Sequence, residues 1–264
     1  MIKYLKNGGG GNRLRLSLQD FARSVFSLLS AKTGAFTLAE VLITLGIIGL
    51  VAAMTIPNLL TNFKKRETVT KVKAAYSIFS QAVKMSTEEN GEISGWDVSN
   101  ATVVVEKYFL PYMTGVTKVK GSLAKYPMRT LSSQGNIESN CYLDWSRNIT
   151  SQPIYVMQNG MYFTYSNSND GYPTIVVDIN GSGKPNIMGI DGFAFWLDKE
   201  SSSVVPAGSK LSRDKLINGN SVRLCRRDSI WQYYRGGYCA ALMQKDGWTI
   251  SKDYPWGKGG LTEK

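Results

Sequence analysis

The run Phe36-Thr37-Leu38-Ala39-Glu40, continuing as VLITLGIIGLVAAMTIPNLL to Leu60, decides the fold. No charged residue occurs from Val41 to Phe63. A helix of that length rises about 35 Å, enough to cross a hydrocarbon core of about 30 Å. Glu40 is the one charge beside the run, at its start. A carboxylate at the edge of a membrane helix is costly and calls for a partner. On position alone two readings stand: a glutamate satisfied by water and lipid headgroups, or one that pairs with a cation.

The helix is expected to continue past Pro57. That residue removes a backbone hydrogen bond and crowds the preceding turn, so a kink is expected there. Val69, Val72, Tyr76, Phe79 and Val83 then recur at steps of three and four. They form one apolar stripe, with Lys71, Lys73 and Lys84 off it. The stripe suits either a coiled-coil seam or a face packed on a sheet, and a sheet is the expectation. Glu89-Asn90-Gly91 supplies the stop. The spine thus has a hydrophobic part, 36–63, and an amphipathic part, 64–90.

The opening run resembles the N-terminus of type IV pilins and type II secretion pseudopilins. In that family a polar leader is cut before a Phe-Thr-Leu-x-Glu core, and the new N-terminal residue is methylated. A cut between Ala35 and Phe36 makes Phe36 the first residue and Glu40 the fifth. The same register puts Gly49 fourteenth and Pro57 twenty-second, both family positions. The family usually has glycine before the cut; here Gly34 is followed by Ala35. A cut after Gly34 would make Glu40 the sixth residue and break the register. The close match covers about the first tenth of the mature chain.

The resemblance implies an α+β, pilin-like fold, with the long helix packed on a C-terminal antiparallel sheet. It implies removal of residues 1–35 by prepilin peptidase and methylation of Phe36. It makes Glu40 the assembly residue, paired with the N-terminal amine of a neighbouring subunit. Its partners would be other pilin or pseudopilin subunits, an inner-membrane assembly platform and membrane lipid. Its location would be the bacterial inner membrane with 91–264 as a periplasmic globular domain, then a periplasmic pseudopilus or an extracellular pilus. Charge does not fix this orientation, because Lys64, Lys65 and Arg66 follow the run while Arg23 and Lys32 precede it. An ordinary secretory signal is the rival, with a small-residue cut at Val51-Ala52-Ala53.

Composition narrows the chemistry. The chain of 264 residues is 43% hydrophobic and carries a net charge of +11. The leader, 1–35, carries +5 of it, which leaves a modest +6 on the rest. Leu14–Leu29 in the leader has amphipathic spacing, for a membrane-surface helix or an unstructured stretch. With no histidine, there is no imidazole for near-neutral proton transfer or metal ligation. No nucleophile motif or phosphate loop occurs, and a pair such as Glu138 and Asp144 arises by chance in any domain. The expectation is that the chain is not an enzyme.

Of the three cysteines, Cys141, Cys225 and Cys239, two lie close together near the C-terminus. The resemblance favours a Cys225–Cys239 disulfide, since the family often closes a C-terminal loop in this way; Cys141 is then left over. Basic and aromatic residues interleave inside that loop: Arg226, Arg227, Trp231, Tyr233, Tyr234 and Arg235. They suit single-stranded DNA by stacking and charge, or simple local packing.

Between helix and loop the signals change. Ser99-Asn100 suits the cap of a short helix, 102–110, stopped by Pro111. The remainder to residue 152 reads as an irregular surface connection. Pro153–Gln158 and Met161–Tyr165 flank Asn159-Gly160, a hairpin signal. Thr174–Ile179 and Phe193–Leu197 complete an expected sheet of about four strands. Asp178, Asn180 and Ser182, followed by Gly183 and, further on, Asp191, resemble the first half of a calcium loop. Gly189 stands where a bidentate glutamate belongs, so a polar turn capped by Asp178 is the competing reading. A short helix, 240–245, is expected before Gly247.

Overall fold

The computed structural model describes residues 37–122, 130–131, 137–138, 153–167, 172–183, 186–220, 224–226 and 236–255. The chain divides into two units, Met1–Asn58 and Leu59–Lys264. One helix, α1 (Leu38–Asn90), contributes to both.

In the first unit the apolar side chains of α1 are exposed, Leu42 at 61% and Ile48 at 63% among them. The two hydroxyls in this stretch fold back onto the helix. Thr44 Oγ1 donates to the Val41 carbonyl at 3.0 Å and Thr55 Oγ1 to the Val51 carbonyl at 2.9 Å. Polar groups satisfied within the segment leave its surface apolar. Pro57 lies inside the helix.

In the second unit α1 becomes one-sided. Thr68, Val72, Ala75, Phe79, Ala82, Val83 and Ser86 are buried. The stripe meets a sheet: Phe79 packs edge-on to Phe163 with ring centroids 5.1 Å apart, and Tyr76 stacks on Phe195 at 6.0 Å. The seam reading of the stripe therefore gives way to packing on a sheet. α1 ends at Asn90, where Gly91 takes a positive φ of 75°. Trp96 Nε1 donates back to the Gly91 carbonyl at 2.8 Å and fixes the turn.

The short helix α2 spans Ala101–Tyr108, and Asn100 Oδ1 accepts from the N–H groups of Thr102 and Val103. Pro111 falls in a 3-10 turn, Leu110–Tyr112. The sheet follows: β1 (Thr117–Ser122), β4 (Pro153–Val156), β5 (Tyr162–Asn167), β6 (Pro173–Asp178), β7 (Gly192–Asp198) and β8 (Ser203–Pro206). They lie in that order and every pairing is antiparallel. β2 (Thr130–Leu131) and β3 (Ile137–Glu138) form a separate two-stranded pair.

This corrects two expectations. The sheet has six strands, because β1 and β8 extend the four expected ones at either edge. The stretch before residue 153 is not wholly irregular, since β1 pairs with β4. The hairpin turn also differs from a two-residue Asn-Gly turn. Met157 N donates to the Met161 carbonyl at 2.9 Å, and Gly160 N donates to the Met157 carbonyl. The loop thus has three residues, with Gly160 in the left-handed position that follows a turn.

Cross-strand partners Tyr155, Phe163, Val177 and Phe193 share the face that meets α1. β6 and β7 are buried along their whole length, which is why they read as near-continuous apolar runs. Two helices complete the unit, α3 (Arg213–Asn218) and α4 (Cys239–Lys245), which pack on each other while α4 also lies against β7 and β8. α4 closes with Gly247 N donating to the Gln244 carbonyl and Trp248 N to the Met243 carbonyl, a glycine-based helix stop.

Candidate functional site

Three places hold the residues singled out from the sequence. The first is the start of α1. Thr37 N and Thr37 Oγ1 donate to Glu40 Oε2 at 2.8 and 2.9 Å, and Glu40 N donates back to Thr37 Oγ1 at 3.2 Å. This is a capping box: a threonine cap and a glutamate three residues on each satisfy the other's amide. Glu40 therefore has a partner inside its own chain. The Thr-x-x-Glu spacing is a general helix-start signal that the sequence carries inside the family motif. Gly34, Ala35 and Phe36 lie outside the described residues.

The second place is the loop joining β6 to β7. Asp178 and Asp191 are both buried. Asp191 accepts from Asn180 Nδ2 at 3.1 Å, from Asn186 N at 2.7 Å and from Ile187 N. Asp178 Oδ1 accepts from Asn180 N at 3.0 Å. With the Asn186 amide turned so that its nitrogen faces inward, Nδ2 donates to Asp178 Oδ2 at 3.2 Å and to the Gly183 carbonyl. Ser182 is exposed. Burial, with the Asp191 charge beside it, pushes Asp178 up to about 8. Burial pushes Asp191 up to about 6 against the pull of its N–H donors.

The loop therefore brings Asp178, Asn180 and Asp191 together and leaves Ser182 outside. Calcium takes six to eight oxygens, and here the carboxylate oxygens face N–H donors. Among the described residues no three acidic, cysteine or histidine side chains converge. This donor set fits a hydrogen-bonded turn and fits calcium poorly.

The third place is the disulfide. Cys225 and Cys239 are bonded, with Cα atoms 4.7 Å apart and both side chains buried. The bridge sits against the β6–β7 loop. Gly189 has φ 85°, and a Cβ there would lie 2.8 Å from Cys239 Sγ. Gly236 has φ 83°, and a Cβ there would overlap the Met188 carbonyl oxygen. Tyr254, buried, donates its hydroxyl to the Gly189 carbonyl. Arg213 then ties α3 to the tail, with Nε 2.5 Å from Asp246 and Nη2 3.0 Å from Asp253. Cys141, Asp144, Arg227, Trp231, Tyr233, Tyr234 and Arg235 lie outside the described residues, as does the leader with Leu14–Leu29.

These features define a class: an α+β domain built on the second half of a helix whose first half is long and apolar enough to cross a membrane. The chain belongs to a family of unknown function (DUF6613), which matches residues 58–257. No curated protein and no solved structure matches it.

Proposed function

We propose that this chain is a structural subunit of a type IV pilus or type II secretion filament. It would be cut by prepilin peptidase between Ala35 and Phe36, methylated at Phe36 and held in the inner membrane until assembly. The observation that supports this is the apolar surface of α1. Fourteen large hydrophobic side chains from Leu38 to Phe63 are at least 41% exposed. At roughly 1.5 kcal/mol each, covering them is worth on the order of 20 kcal/mol, so lipid or other copies of the helix must do it. Exchange of lipid for neighbouring helices is what filament assembly requires.

Glu40 acts at that exchange. Before assembly Thr37 satisfies it; on assembly a neighbour's N-terminal amine takes over and supplies the cation that neutral donors cannot. The alternative is a minor subunit with the same anchor, whose exposed domain binds DNA, a surface or secreted cargo. Abundance in purified filaments separates the two.

The test is the N-terminal residue and mass of the protein from intact membranes. The expected result is Phe36 with one extra methyl. A start at Met54 would replace the whole reading with an ordinary secreted protein. Given Phe36, Glu40→Ala should remain in the membrane and fail to enter filaments. Normal incorporation of that variant would remove the assembly role.

A further inference from the structure

The turn Lys64-Lys65-Arg66 lies between the uncharged run and the first buried residue of α1, Thr68. Just before it Leu59, Leu60 and Phe63 are 69%, 53% and 63% exposed. Lys64 and Arg66 are exposed and Lys65 is half-buried. The one acid in this stretch, Glu67, is paired with Lys71 at 2.8 Å. Among the described residues no salt bridge involves Lys64, Lys65 or Arg66.

Successive helical residues point about 100° apart. Three consecutive cations therefore span about 200° of the helix circumference, wider than a single face. A groove on a protein or a strand of nucleic acid would approach from one side. A spread of cations wider than one face, directly above exposed leucine and phenylalanine, matches a surface that wraps the helix, apolar below and anionic above. We propose that Lys64, Lys65 and Arg66 form a collar that binds the phosphates of anionic phospholipids where α1 leaves the hydrocarbon. The inference rests on the membrane reading of α1 and adds the class of lipid it selects.

The test uses the full chain in nanodiscs made of equal amounts of phosphatidylcholine and phosphatidylglycerol with the same acyl chains. Native mass spectrometry then reads the ratio of the two lipids retained on the protein. Each cation near an anionic surface is worth up to about fivefold, so phosphatidylglycerol should be retained several-fold over its bulk share. The enrichment should shrink as salt rises from about 0.05 M to about 0.5 M. Lys64→Gln, Lys65→Gln and Arg66→Gln together should return the ratio to bulk, whereas Lys64→Arg with Lys65→Arg should keep it. A bulk ratio in the unaltered chain, or an enrichment the triple variant retains, overturns the collar while leaving the anchor standing. A chain that enters neither lipid overturns the membrane reading and the collar with it. Salt-sensitive binding of single-stranded DNA lost in the triple variant, without lipid enrichment, would assign the three cations to nucleic acid instead.

Discussion

Asp178→Asn is expected to stabilise the β-rich unit, and more so at about pH 9 than at about pH 5. An aspartate ordinarily ionises near 3.8; burial and the neighbouring Asp191 push Asp178 up to about 8. From about pH 4 to about pH 8 the unfolded chain has lost this proton while the folded chain keeps it, so rising pH favours unfolding. Below that window both states hold the proton, and above it neither does. The full penalty at high pH is on the order of 5 kcal/mol. Asparagine keeps the oxygen that accepts from Asn180 N and carries no charge. Its nitrogen would face Asn186, which can present its amide oxygen by turning over. A net gain of a few kcal/mol at high pH is therefore expected, or on the order of 10 °C for a domain of about 200 residues.

The assay is thermal unfolding of the full chain in detergent, followed by near-ultraviolet circular dichroism across that pH range. The sequence contains no histidine, so few side chains other than Asp178 and Asp191 titrate between about pH 5 and pH 8. The melting temperature of the unaltered chain should fall through this window, and that of Asp178→Asn should fall much less. A flat profile in the unaltered chain would refute the reasoning. Millimolar calcium should leave both profiles unmoved. If it raises the unaltered chain alone, the loop binds the cation and its N–H donors give way to it.

Thr37→Val should remove the two bonds of the Thr37 hydroxyl, leaving Thr37 N donating to Glu40, and destabilise the start of α1 by about 1 kcal/mol, read as faster amide exchange at residues 38–41. Phe79→Ala, at the contact between α1 and the sheet, should cost about 3–5 kcal/mol in thermal unfolding. Cys225→Ser should cost about 3 kcal/mol by releasing a bridge that spans 14 positions, and a reductant should lower the melting temperature of the unaltered chain but not of this variant.

The spine was legible because its signals are local: an uncharged run, then a stripe at steps of three and four, then Gly91. The inner strands were legible for the same reason, as apolar runs between turns. The edge strands were not. β1 reads TKVKGS, with one large apolar residue among lysines, and its identity as a strand comes from pairing with β4. β8 is four residues in a serine-rich stretch, held by β7. α3 depends on Ser212, whose hydroxyl caps Lys215 N, in a stretch with no long periodic pattern. In the β6–β7 loop the spacing of oxygen side chains was visible, but the direction of the backbone N–H groups was not. That direction is what a hydrogen-bonded turn needs and an oxygen-ligand loop does not.

The seating of the disulfide against Gly189 ties the bridge to the β6–β7 loop. Cys239 Sγ lies against a backbone that Asp191 holds through the amides of Asn186 and Ile187. A β6–β7 loop out of place would press on Cys239 Sγ, so the seated loop and the closed bridge favour one another. Reducing the bridge should therefore loosen the β6–β7 loop as well as the tail that carries Cys239.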